Sequence, residues 1–243
     1  MDIKKTILYA LNILFPKTCL GCGRDIKYDS VSPFCRKCSA DIKTVSAMYC
    51  KKCGNPEEPG LICGDCRGLK YLDGLRSAFI FADPIRKAVH AFKYGDRPEL
   101  ASFLGGEMAE IFREYDLFSD SFFLLPVPLH KKKLKERGYN QSSLLASVIA
   151  EKNKLFIIEN AAERNRKTES QARLDRKGRI KNMAEAFTVT SVPQVKNRNI
   201  IIVDDVATTL ATLDSLAGAL KKAGAKKVTG FTLAREPAKP VLR

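Results

Sequence analysis

The sequence predicts an α/β fold: a parallel sheet flanked by helices, preceded by a small cysteine-rich module suited to metal. Three observations predict it. Apolar runs of strand length alternate with helical patterns after Gly74, the order of a parallel sheet with right-handed crossovers. All 8 cysteines fall between Cys19 and Cys66 as Cys-x-x-Cys pairs. One stretch, Asn199-Ile-Ile-Ile-Val-Asp-Asp-Val-Ala-Thr-Thr-Leu-Ala-Thr212, passes from an apolar run through two acids and a hydroxyl-rich turn into a helical pattern.

The cysteine pairs are Cys19/Cys22, Cys35/Cys38, Cys50/Cys53 and Cys63/Cys66. Each can form a knuckle with two thiolates converging on one ion, and two knuckles complete a tetrahedral zinc site. Pairing in order gives two zinc ribbons; an interleaved cross-brace uses the same residues and remains open. With every ligand a cysteine, such zinc is structural. A region this small lacks the core to hold itself together, and metal ligation supplies the difference. Disulfides would need an oxidising compartment, and the sequence reads as cytoplasmic. Residues 1–18 carry Ile3, Ile7, Leu11 and Leu14 at helical spacing, with no small-residue cleavage site. A short N-terminal helix is expected there. The predicted division is residues 1–18, the ribbon module over 19–70 and the α/β domain over 75–243.

Lys and Arg number 42 against 27 Asp and Glu, a net charge of +15. Such an excess favours polyanions such as nucleic acid or nucleotide phosphates. No segment reaches the roughly 18 apolar residues of a membrane span.

Along the α/β region, Ala78 to Ala82 reads as a strand, followed by a helix from Pro84 to about Phe92. Lys93-Tyr-Gly-Asp96 reads as a turn with Lys93 placed to face a phosphate, and a helix follows over Glu99 to Arg113. Phe122 to Pro128 is a second strand. After it comes a basic loop holding His130, Lys131, Lys132, Lys133, Lys135 and Arg137, dense enough in charge for a nucleic-acid backbone. Tyr139 offers a ring for base stacking. A helix over Gln141 to Asn153 and strands at Leu155 to Ile158 and Ala186 to Thr190 are expected. Between those strands lies a long polar stretch, Glu163 to Lys181, which reads as a mobile loop or an exposed helix of the kind that acts as a lid, with Arg166, Arg173 and Arg179 as nucleic-acid-binding candidates. The last strand is Val228 to Ala234. In the central stretch, the loop after the apolar run meets a helix N-terminus, where unpaired N–H groups and the dipole favour phosphate.

The paired knuckles, Pro126-Val-Pro128, Arg137-Gly-Tyr-Asn-Gln141, Thr168 to Gln171 and Val203 to Thr212 together resemble the ComF family. Its members carry cysteine-rich ribbons before a type I phosphoribosyltransferase domain and are associated with natural competence. The resemblance covers nearly the whole chain. It implies a type I phosphoribosyltransferase-like sheet and binding of 5-phosphoribosyl-1-pyrophosphate (PRPP) with magnesium. Carried over, Asp204 and Asp205 would hold the ribose hydroxyls and the magnesium. Ala207, Thr208, Thr209, Leu210 and Thr212 would form the 5-phosphate cradle, and His130 and Arg137 would meet the pyrophosphate. Where the family motif reads Thr-Thr-Gly-x-Thr, this chain has Leu210. A leucine there either adopts a left-handed backbone at about 1–2 kcal/mol or crowds the phosphate.

Two functions follow as expectations. One is handling of single-stranded DNA in DNA uptake, on a phosphoribosyltransferase scaffold. The other is a working phosphoribosyltransferase of base salvage. Competence or recombination proteins are expected partners for the ribbons.

Overall fold

A computed structural model of the chain describes residues 16–45, 49–55, 66, 68–114, 122–165 and 186–236. The expected N-terminal helix lies outside them, apart from the residues at its end. In the cysteine-rich region, β1 (Lys17–Thr18) pairs antiparallel with β2 (Asp25–Ile26), and α1 (Arg36–Ala40) carries Cys38. The α/β region then runs β3 (Gly74–Ile80), α2 (Ile85–Tyr94), α3 (Leu100–Phe112), β4 (Phe122–Pro126), α4 (Lys131–Arg137), α5 (Gln141–Asn153) and β5 (Phe156–Ile157). It continues with β6 (Ala162–Arg164), β7 (Phe187–Val189), α6 (Val192–Val195), β8 (Asn199–Ala207), α7 (Ala211–Lys222) and β9 (Lys227–Arg235).

Five strands form one sheet in the order β3-β9-β8-β4-β5, every neighbouring pair parallel. The central strand β8 is apolar on both faces because both are covered. Ile201 and Val203 face a core built with α2, α3 and α5, while Ile200 and Ile202 face a second core built with α7. All four are fully buried, at about 1.5–3 kcal/mol each. Outside the sheet, β6 and β7 form an antiparallel pair on either side of the long polar stretch.

The cysteine-rich region is divided between the two cores. Cys19, Phe34 and Cys38 pack with the α2/α3/α5 side, whereas Cys50, Cys53, Cys66, Leu69 and Leu72 pack with the α7 side. The chain passes from one to the other around the β3 edge. There Lys43 O accepts from Ile80 N at 2.8 Å and Val45 N donates to Ala78 O at 3.1 Å. Those bonds occupy an edge that would otherwise present unpaired backbone.

Three elements differ from expectation. The first strand begins at Gly74 rather than Ala78, because polar Arg76 and Ser77 are buried within it. Ser77 and Thr232 share a 2.7 Å hydroxyl bond across the β3–β9 pair. The basic segment after Pro128 is a helix, α4, rather than a loop. His130 caps it by accepting from Lys132 N through Nδ1 at 3.2 Å, and Gly138 at φ 80° ends it in the left-handed region. The front of the predicted lid, Glu163 and Arg164, belongs to β6; residues 166–185, with Arg166, Arg173 and Arg179, lie outside those described.

Candidate functional site

Strand β8 carries the two acids, Asp204 and Asp205, near its carboxyl end, and neighbouring elements supply their partners. Asp205 is buried and pairs with Lys93 Nζ at 2.8 Å, delivered from the last turn of α2. The Asp204 carboxylate accepts from Ser142 Oγ at 2.8 Å and from Asp205 N at 2.9 Å. Ser142 stands in the first turn of α5, which Asn140 caps while its Nδ2 donates to Val127 O. The segment Gly-Tyr-Asn-Gln thus aligns a helix N-terminus with the diacid. Burial, followed by the neighbouring Asp205 charge, pushes Asp204 up to about 7. Lys93 and Ser142 oppose that shift. Arg164 on β6 also acts here: burial lowers its pKa, and the Asp204 charge resists the change.

Beyond the acids, Thr208 and Thr209 are exposed, and Thr212 lies in the first turn of α7, half-buried. Leu210 sits at φ 63°, left-handed, as the N-cap of α7. Its side chain is buried in the α7 core, so it leaves the exposed face of the turn clear. The backbone shape a glycine would provide is present here with a leucine, whose burial offsets the conformational cost.

On α4, Lys131, Lys132, Lys133 and Lys135 are all exposed. Lys131 reaches Glu163 at 3.5 Å and Lys132 reaches Glu136 at 4.0 Å. Such exposed pairs contribute little, roughly 0–1 kcal/mol. Tyr139 stacks on Phe92 with ring centroids 5.8 Å apart and donates its hydroxyl to Phe92 O at 2.5 Å. One face of that ring is therefore covered. Tyr94 is the more open ring, 68% exposed, with the Arg137 guanidinium 5.3 Å from its centroid and His90 5.0 Å away. Sequence reasoning singled out Lys93 and Arg137 but missed Tyr94, Ser142, Arg164, Asp214 and Arg235. The nearest sequence signal to Ser142 is the Asn140 cap two residues before it, and that cap does not point to the diacid.

Among the described residues the cysteines group in sequence order rather than interleaved. The Sγ atoms of Cys19, Cys22, Cys35 and Cys38 lie within 4.8 Å of one another, as do those of Cys50, Cys53 and Cys66; Cys63 lies outside the described residues. Cys22 and Cys35 are 3.8 Å apart, and Cys50 and Cys66 3.7 Å. A tetrahedron with Zn–S bonds of about 2.3 Å has edges of about 3.8 Å, whereas a disulfide needs about 2.05 Å. Cys19 also accepts from Cys35 N at 3.2 Å. Burial opposes its ionisation, but N–H groups of Cys35, Cys22 and Gly21 bring the thiol down to about 6. The donor sets fit zinc.

A parallel sheet with a diacid and hydroxyl turn at its carboxyl edge, joined to two cysteine ribbon sets, defines a phosphoribosyltransferase-like protein with zinc ribbons. Family models agree: residues 10–67 match the double zinc ribbon domain and residues 135–243 the phosphoribosyl transferase domain. The chain is 29% identical to competence protein ComFC of Bacillus subtilis over 83% of each chain. It is 27% identical to competence protein F of Haemophilus influenzae, covering 89% of this chain and 90% of that one. It is 30% identical to the DNA utilization protein YhgH of Escherichia coli, covering 83% and 89%. The chain belongs to the ComF family.

Among the described residues no helix is long and apolar enough to cross a membrane.

Proposed function

We propose that this protein handles single-stranded DNA in competence, holding the strand's phosphates across the carboxyl edge of its sheet. The observation that carries this reading is the grouping at that edge. The exposed lysines of α4, the Arg137–Tyr94 pair and the hydroxyl turn at the N-terminus of α7 all belong to segments leaving or flanking the same sheet end. Lysines attract the backbone without regard to sequence. At this edge Tyr94, 68% exposed, offers an open ring for a base, and a guanidinium beside it suits single strands. The names of the relatives, competence proteins and a DNA utilization protein, point to the same role. In this reading residues 19–70 serve as the ribbon module, the place where competence or recombination proteins dock, and residues 75–243 hold the strand. Zinc closes both cysteine sets and supplies rigidity there.

Fluorescence anisotropy with a labelled oligonucleotide tests this. Affinity should fall at least tenfold between about 50 and 200 mM salt, since neutralised phosphates release counterions. No binding at low salt, or binding indifferent to salt, refutes it.

A second reading, transfer of ribose 5-phosphate to or from a base, is favoured by Leu210, whose buried side chain leaves the cradle clear. Asp204 and Asp205 would orient the ribose hydroxyls of PRPP while Thr208, Thr209 and Thr212 grip its 5-phosphate. The oxygen donors of the diacid fit magnesium, which would offset charge developing on pyrophosphate as it departs. His130 and Arg137 would meet that pyrophosphate, and Lys93 holds Asp205 in place. Calorimetric titration with PRPP and magnesium is the direct test. Heat from the wild-type chain supports the reading; silence from both wild type and Leu210→Gly ends it.

A further inference from the structure

Arg235, the last residue of β9, is buried at 6% exposure, and its guanidinium is surrounded by main-chain carbonyls. Nη1 shares its two N–H groups among Ala207 O at 2.9 Å, Thr208 O at 2.7 Å and Glu236 O at 2.6 Å. Nε donates to Cys53 O at 3.2 Å, 182 residues away along the chain. One rigid, planar fork thus joins a cysteine knuckle to the backbone that opens the phosphate turn. Charge-assisted bonds of this kind are the strong class of hydrogen bond.

The other end of the turn is held by the same module. Asp214, in the first turn of α7, accepts from Lys70 N at 3.1 Å, Tyr71 N at 2.8 Å and Leu72 N at 2.9 Å. That segment is continuous with the second cysteine set, Leu69 N donating to Cys66 O at 3.0 Å. At Gly218 a Cβ would come within 2.9 Å of the Tyr71 ring, so glycine permits the close seating. The first cysteine set packs on the opposite side of the sheet, in the α2/α3/α5 core.

We propose that the second cysteine set, closed by zinc, is part of the phosphate site: it fixes the shape of the turn Ala207–Leu210 through Arg235, which is a positioning residue. Without the metal the knuckle carbonyl moves, the Arg235 fork loses an anchor, and the turn loosens although all its own residues are intact. The first set has no such influence. The inference rests on zinc filling the second set and not on which phosphate compound the turn accepts.

Hydrogen exchange of the zinc-loaded full chain tests this without any ligand. Cys50→Ser, with zinc counted by native mass spectrometry, should raise exchange in the 207–214 peptide about tenfold more than in the β4 peptide, whose exchange reports global stability. Cys22→Ser should change turn and β4 exchange alike. Arg235→Gln should raise turn exchange as Cys50→Ser does, and the double variant should exceed neither single one. Additive increases would mean that knuckle and arginine act separately, and an unaltered turn in Cys50→Ser would mean that the metal is irrelevant to it; each overturns the proposal. Should Cys50→Ser fail to fold, the reciprocal coupling is measurable in Arg235→Gln. A chromophoric chelator should then capture one of the two zinc ions about tenfold faster than from wild type, and unchanged release of both would overturn the proposal.

Discussion

Asp204 sits in an environment far from that of solution, and its pH behaviour follows directly. Its ordinary value is 3.8, and the folded chain holds it at about 7. Between those values the native state binds a proton that the unfolded chain has lost, so this group's contribution is largest below about pH 4. It falls as pH rises toward 7. Asp204→Asn removes that fall: denaturant titrations should show the variant gaining roughly 2–4 kcal/mol on wild type between about pH 4 and pH 8. Parallel pH profiles for the two proteins would show that Asp204 titrates normally. Leu210 presents the opposite trade. Leu210→Gly relieves a left-handed leucine, worth about 1–2 kcal/mol. It also forfeits a buried side chain, worth about 1.5–3 kcal/mol, and adds the backbone entropy of glycine, about 0.5–1 kcal/mol. A net loss of roughly 1–2 kcal/mol should appear as a lower denaturant midpoint; a gain would show that the side chain packs poorly.

Elements were legible in proportion to how plainly their apolar residues reported burial. Strand β8 and helix α7 follow from an uninterrupted apolar run and a helical stripe, and they match. The start of β3 does not, because Arg76 and Ser77 break the apolar pattern while being buried through bonds to Leu75 O and Thr232. The sequence reads helix α4 as a loop for a related reason. It buries no residue, so no periodic stripe marks it, and it exists through its His130 cap, left-handed Gly138 and the last-turn cations Lys135 and Arg137, against the dipole cost of three lysines in its first turn. Within the candidate site, the acids and hydroxyls of one contiguous segment could be read directly. Ser142, Arg164 and Arg235 could not, since they reach it from elements that only folding brings together. No local pattern announces a bond from Arg235 to Cys53.

For the whole molecule, the division of the cysteine sets between two faces of one sheet has a thermodynamic consequence. Each set contributes buried residues to a different core, so metal binding and folding of the sheet are linked. Stripping zinc with a chelator should lower the calorimetric midpoint of the entire protein by at least about 10 °C. A sheet that melts at its original temperature would show that the ribbons are energetically separate.

The same scale holds the test of the central claim, that a single strand lies along α4 at the sheet edge. Affinity for an oligonucleotide should be measured against salt for wild type and for a variant with Lys131, Lys132, Lys133 and Lys135 all changed to glutamine. None of these side chains is buried, so the fold should be retained, which circular dichroism can verify. Each phosphate contact on a single strand contributes about −0.7 to the slope of log affinity against log salt. The variant should bind more weakly, with a slope shallower by roughly 2–3. An unchanged slope would place the strand elsewhere and contradict the account.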